Sequence, residues 1–147
     1  MIGEPALIDS DTLSELSRGQ RHVLDNARRY LERHGRFTVS AVSVYERLRG
    51  YRAALRQGKP FEAQLEQFVA FAATCLVLPV DADVADVAAT IWARSSARRR
   101  KKLGDILIAA TACARGLAVV TRNRRDFAPL LAASGVDVAM ADWARSR

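Results

Sequence analysis

Gly104-Asp105-Ile106-Leu107-Ile108-Ala109-Ala110-Thr111-Ala112-Cys113-Ala114-Arg115-Gly116-Leu117-Ala118-Val119-Val120-Thr121-Arg122-Asn123 is the stretch whose reading decides the fold. Leu103-Gly104-Asp105 leads into a helix of small residues, Ile106 to Arg115, and Gly116 closes it. Leu117 to Val120 then form a short apolar run, which reads as a buried strand. A polar turn, Thr121-Arg122-Asn123, follows at once. An acid opens the helix and a polar turn ends the strand, the pattern of a helix feeding a parallel sheet.

The same alternation extends outward. Ala6-Leu7-Ile8 lies between Pro5 and Asp9-Ser10-Asp11 and predicts a first buried strand. Thr12 and Glu15 have capping-box spacing and predict a helix that Gly19 ends. A second helix covers Val23 to His34, closed by Gly35, and Phe37-Thr38-Val39 is a second strand. Ser43 and Glu46 form another capping-box match, opening a helix to about Arg56 despite Gly50. Gly58-Lys59-Pro60 breaks the chain. Phe61 to Ala73 is helical, with Phe61, Leu65, Phe68 and Ala72 on one face. Leu76-Val77-Leu78 is a third strand ended by Pro79, and Asp81 or Asp83 caps a helix through Trp92. Val136-Asp137-Val138 is a short fifth strand. The prediction is an α/β fold with a central parallel sheet of four to five strands and helices on both faces.

The chain has 147 residues, 50% of them hydrophobic, which suits a single domain over 1–147 with a substantial core. Charged residues, at 27%, are too few and too interspersed for a disordered chain. No apolar run approaches the roughly 18 to 20 residues of a membrane span. Met1-Ile2-Gly3-Glu4-Pro5 carries no basic or long apolar leader pattern, so a cytoplasmic location is expected. Cys75 and Cys113 sit in apolar stretches and read as two buried thiols in a reducing compartment. No Cys/His cluster suggests zinc, and His22 and His34 lie in polar helical surroundings with no catalytic role. A net charge of +7 favours a polyanionic partner, nucleic acid or an acidic protein. Arg98-Arg99-Arg100-Lys101-Lys102 reads equally as a solvated loop or as a contact for that polyanion.

In a parallel sheet, ligand sites lie beyond the carboxyl ends of the strands. Asp9 follows the first strand directly, and Glu46 follows the second by about two helical turns. Asp105 opens the helix before the fourth strand, and Thr121, Asn123 and Asp126 come after it. Each acid also has a structural reading. Glu46 fits a capping box, Asp105 a helix dipole, and Asp126 a turn before Phe127. Asp9 is the hardest to dismiss, because an Asp abutting a buried strand must find donors or a cation. If the four converge, a hard divalent cation, Mg²⁺ or Mn²⁺, is the natural counter-charge. Acids and a basic surface with no His or Cys nucleophile point to metal-assisted phosphate chemistry.

Four segments carry a family resemblance, in order along nearly the whole chain. Leu7-Ile8-Asp9-Ser10-Asp11-Thr12-Leu13-Ser14-Glu15, Val39 to Gly50 around Glu46, Gly104 to Ala112 around Asp105, and Leu117 to Phe127 resemble the motifs of PIN-domain ribonucleases. Within that family they look like the VapC toxins of bacterial toxin–antitoxin pairs. The resemblance implies Mg²⁺- or Mn²⁺-dependent cleavage of RNA, a cognate VapB-like antitoxin and a homodimer. By that carry-over Asp9 and Asp105 ligate metal, Glu46 completes the pocket and orients or deprotonates water, and Thr121 positions the site. Two departures stand out: Asp11 replaces the family's first-motif Asn, and Asn123 occupies the place of a fourth acid, which Asp126 can compensate. The missing charge favours one metal over two. Arg122, Arg124 and Arg125 lie close enough to the pocket to contact phosphate. Two alternatives compete. Asp9-Ser10-Asp11-Thr12-Leu13 also resembles the nucleophile segment of haloacid-dehalogenase-like phosphatases, although Lys101 and Lys102 are poorly placed for that family's later lysine. The chain also reads as a non-catalytic RNA-binding module with a degenerate pocket.

Overall fold

The computed structural model describes residues 3–145. Met1, Ile2, Ser146 and Arg147, and with them the first residues of the leader reading and both ends of the 1–147 domain reading, lie outside the described residues. The chain runs β1 (Ala6–Ile8), α1 (Ser10–Ser17), α2 (Arg21–His34), β2 (Thr38–Ser40), α3 (Ala41–Arg56), α4 (Glu62–Thr74) and β3 (Leu76–Leu78). It continues through α5 (Ala82–Ala93), α6 (Ala97–Arg100), α7 (Leu103–Arg115), β4 (Ala118–Val120), α8 (Arg124–Ser134) and β5 (Met140–Ala141).

The five strands form one sheet in the order β3-β2-β1-β4-β5, and every pair is parallel. The chain steps outward from β1 through β2 to β3, then crosses to the other side of β1 for β4 and β5. The strand order therefore reverses between β1 and β4, the place where open α/β sheets build their crevices.

Both faces of the sheet are covered. Leu7 and Val119 pack on one face with Val84, Ile91, Ile108 and Phe127, from α5, α7 and α8. Their neighbours Ala6, Ile8 and Val120 pack on the other with Val23, Ala27 and Tyr30 of α2 and with Trp143. Burial on both sides explains why β1 and β4 are apolar throughout rather than alternating. Ala109, Ala110 and Ala112 are fully buried, and their small side chains let α7 lie deep in the helical layer. Gly116 ends α7 in the left-handed region, at φ 65°, a conformation that favours a residue without Cβ.

Several element boundaries differ from the sequence expectations, each for a local reason. Asp9, not Thr12, caps α1: its Oδ1 accepts from Thr12 N at 2.8 Å. Ser40, not Ser43, caps α3, with Ser40 Oγ accepting from Val42 N at 3.0 Å. Glu46 is thereby released from the capping role its spacing suggested. The fifth strand is Met140–Ala141 rather than Val136–Val138, since β4 pairs Val119 with Met140 and Val120 with Ala141. Val136 N is instead taken up by Ser134 Oγ in the turn after α8. The basic run is no loop over its first part: Ser96 caps the helical turn α6 by accepting from Arg99 N at 3.3 Å. Cys113 is buried as expected, whereas Cys75 is only half-buried, because it sits just before the edge strand β3. Among the described residues no helix is long and apolar enough to cross a membrane.

Candidate active site

Asp9 is the fixed point of the site. It follows the central strand and is 1% exposed. Its backbone N–H donates to the Val120 carbonyl at 3.0 Å, which ties the end of β1 to the end of β4. Its carboxylate is held from two sides, by Thr12 N on Oδ1 and by a short hydrogen bond from the Thr121 hydroxyl on Oδ2. The Thr121 hydroxyl in turn accepts from Asn123 N at 2.9 Å, so its proton is directed at Asp9. Burial pushes the Asp9 carboxyl above its usual range, and the bonds from Thr121 and Thr12 only partly offset that.

Glu46 arrives from α3, one of its oxygens accepting from Ser10 Oγ at 3.0 Å. The Ser10 and Ser43 hydroxyls are 3.1 Å apart, so a polar seam joins the start of α1 to α3. The other Glu46 oxygen lies against Gly104, where a Cβ would come within 3.3 Å of it. A side chain at residue 104 would crowd that oxygen.

Asp105, in the first turn of α7, is half-buried and its carboxyl is pushed up to about 6. Burial is the main cause, Lys102 opposes it, and the charges of Glu46, Asp126 and Asp11 reinforce it. Asp105 thus feels three other acids from three separate segments. Asp126 of α8 is more exposed. It accepts from Lys102 Nζ at 2.6 Å and from Asn123 Nδ2 at 2.7 Å, and these bonds hold its carboxyl below the usual range. Asn123 and Asp126 are therefore a bonded pair rather than alternatives. Asp11 is exposed in the first turn of α1.

The arginines after β4 separate. Arg122 pairs with Glu15 at 2.9 Å, and Arg124 donates to the Met140 carbonyl at 3.1 Å on β5. Neither makes an ion pair with Asp9, Glu46, Asp105 or Asp126 among the described residues. Ser10, Lys102 and Gly104 also border these acids, Ser10 and Gly104 at Glu46 and Lys102 at Asp126. Their signals, adjacency to Asp9 and Asp105, are indistinct without the fold.

A cavity of about 660 Å³ opens over Glu46 and Asp105, walled by Val42, Tyr45, Arg49, Lys102 and Leu103. In their present positions no three acids, histidines or cysteines are grouped to hold one ion together among the described residues. The donors nevertheless suit a hard cation. They are carboxylate oxygens backed by hydroxyls, with Asp105 carrying a charge its neighbours oppose.

Comparison with curated protein sequences gives no match. Among solved structures, the chain is similar to FitAB bound to an IR36 DNA fragment, at 29% identity and TM-score 0.71 over 97% of each chain. It is similar to FitAcB from Neisseria gonorrhoeae at 27% identity and TM-score 0.63, over 94% of this chain and 97% of that one. DNA-bound VapBC from Salmonella typhimurium shares the fold, at 23% identity and TM-score 0.68 over 95% and 98% of the two chains. The PIN domain model matches residues 6–130, a span that runs from β1 into α8 and takes in all four acid-bearing segments, so the chain belongs to the PIN-domain family.

Proposed function

We propose that this protein is a divalent-metal-dependent endoribonuclease toxin of the VapC type, acting as one domain over 1–147 and restrained by a VapB-like antitoxin. The observation that carries the reading is Asp105 set among the charges of Glu46, Asp126 and Asp11 from three other segments, beside a cavity that Glu46 and Asp105 line, with Asp9 joined to Asp126 through Thr121 and Asn123. PIN membership supports nuclease chemistry, and the likeness to FitAB and FitAcB supports the pairing with an antitoxin. The phosphatase reading of Asp9 gives way to the family match.

Asp9 and Asp105 are the residues that would hold Mg²⁺ or Mn²⁺. Such an ion, when bound, acidifies water and offsets charge on a phosphodiester under attack. The chain does the rest. Thr121 and the Thr12 N–H fix the Asp9 carboxylate, each of its oxygens keeping a further lone pair. Glu46, oriented by Ser10, takes the proton of the attacking water. Asn123 and Lys102 hold Asp126 at the rim, where it adds negative charge without being buried. Arg122 and Arg124, exposed beyond β4, contact RNA phosphates. A homodimer and a cytoplasmic setting complete the proposal.

The test is cleavage of total cellular RNA by the purified protein, with Mg²⁺ or Mn²⁺ and with chelator, beside Asp9→Asn. Metal-dependent products absent from the variant are expected. Equal products from both proteins would overturn the site assignment. Metal binding without cleavage would favour the RNA-binding module instead. Expression should arrest growth, and co-expression of the cognate antitoxin should relieve it.

A further inference from the structure

The basic run next to the site is not absorbed by the chemistry above. Between α6 and α8 lies a cleft of about 400 Å³, lined by Arg98, Arg99, Lys102 and Arg125, with Asp126 as its acid and Leu130 as its apolar wall. We propose that this cleft seats a phosphodiester of the RNA strand beside the one being cut, with Arg98, Arg99 and Arg125 as its ligands. The inference rests on the ribonuclease reading.

Three observations favour it. The other cations at this cleft are already engaged: Lys102 with Asp126, and Arg100 with the Trp92 ring, 4.0 Å from its centroid, and the Trp92 and Ala93 carbonyls. Arg98, Arg99 and Arg125 are exposed and make no ion pair among the described residues. Four cations meet one carboxylate, Asp126, in this lining, so the guanidinium groups repel one another beyond what that acid offsets, and a phosphate relieves the excess with paired oxygen acceptors for their N–H donors. Second, the cleft is built. Ser96 caps α6, and the Arg100 clamp on Trp92 holds that short helix against the end of α5. Third, it adjoins the cavity over Glu46 and Asp105, since Lys102 lines both. A strand lying over Glu46 and Asp105 therefore passes Lys102 and enters the cleft. With Leu130 as its one apolar wall, the lining suits a sugar–phosphate backbone better than an acidic peptide, which needs buried apolar anchors.

The test measures binding of a short single-stranded RNA by fluorescence anisotropy across a salt series, in chelator so that nothing is cut. The proteins are wild type, R98A/R99A/R125A, and R28A/R29A/R33A, which removes three exposed arginines of α2. Each neutralised phosphate contributes about 0.7 to the salt slope for single strands, so the cleft variant, which loses the one seated phosphate, should lose about 0.7 from the slope and roughly tenfold in affinity. The α2 variant should keep both. Once the cut is mapped, uncharged methylphosphonate placed at neighbouring linkages should weaken wild type at one position and leave the cleft variant indifferent there. Unchanged affinity and slope in a folded cleft variant would overturn the inference while wild-type cleavage upheld the nuclease. Loss of antitoxin binding with RNA binding intact would assign the cleft to an acidic protein and overturn it too. If wild type neither binds nor cuts RNA, the ribonuclease reading fails and takes this inference with it.

Discussion

Asp105 offers the sharpest quantitative test, because its charge is a burden on the fold. A shift from 3.8 to about 6 corresponds to ~3 kcal/mol of preference for the protonated form. The group is half-exposed, so screening by solvent reduces the cost of ionisation to about 1–2 kcal/mol. The folded state holds this proton more tightly than the unfolded chain, so stability rises as pH falls from about 6 toward 3.8. Above about 6 the penalty is complete. Asp105→Asn removes the charge and keeps the shape. In chelator it should be more stable than wild type by about 1–2 kcal/mol at pH 8, and the gap should close near pH 4. Urea denaturation followed by circular dichroism at several pH values measures the difference, and other carboxyls largely cancel between the two proteins. Adding Mn²⁺ should then stabilise wild type by ligand linkage and leave the variant unmoved. A gap independent of pH, or a variant less stable at pH 8, would refute the claim that the site opposes this charge.

Two further substitutions separate positioning from stability. Thr121→Val removes the donor to buried Asp9 and should cost about 1–3 kcal/mol together with most of the cleavage, whereas Thr121→Ser should restore both; thermal melts and RNA cleavage assays report the two effects. Gly104→Ala puts a Cβ 3.3 Å from a Glu46 oxygen at the end of a flexible side chain. It should change stability by under about 1 kcal/mol, as Ala's better helix propensity offsets the crowding, yet lower the cleavage rate by displacing Glu46. Unaltered kinetics in that variant would mean that the approach of α7 to Glu46 does not matter to the reaction.

The sequence by itself determined the fold class and marked Asp9, Glu46, Asp105 and Asp126 as candidates for the site. Ala6-Leu7-Ile8 and Ala118-Val119-Val120 are apolar without alternation, as strands covered on both faces are, and they are too short and too closely bounded by polar residues for helices. Asp9 was legible because a carboxylate joined to such a strand has to be answered by donors. Glu46 and Asp126 were less so. A capping-box spacing and a turn residue read the same whether or not they serve a site, and Ser40 proved to be the true cap of α3. The last strand was misplaced because a two-residue pairing leaves no periodicity to detect, and its register is set by β4. Only the tertiary structure decided which groups meet. The Ser10–Glu46 bond, the closeness of Glu46 to Gly104 and the Lys102–Asp126 pair join residues 24 or more positions apart. The state of each acid depends on those encounters. The charge of Asp105 is raised in cost by neighbours from α1, α3 and α8, and electrostatic interaction follows distance in space, which the order of residues along a chain does not encode.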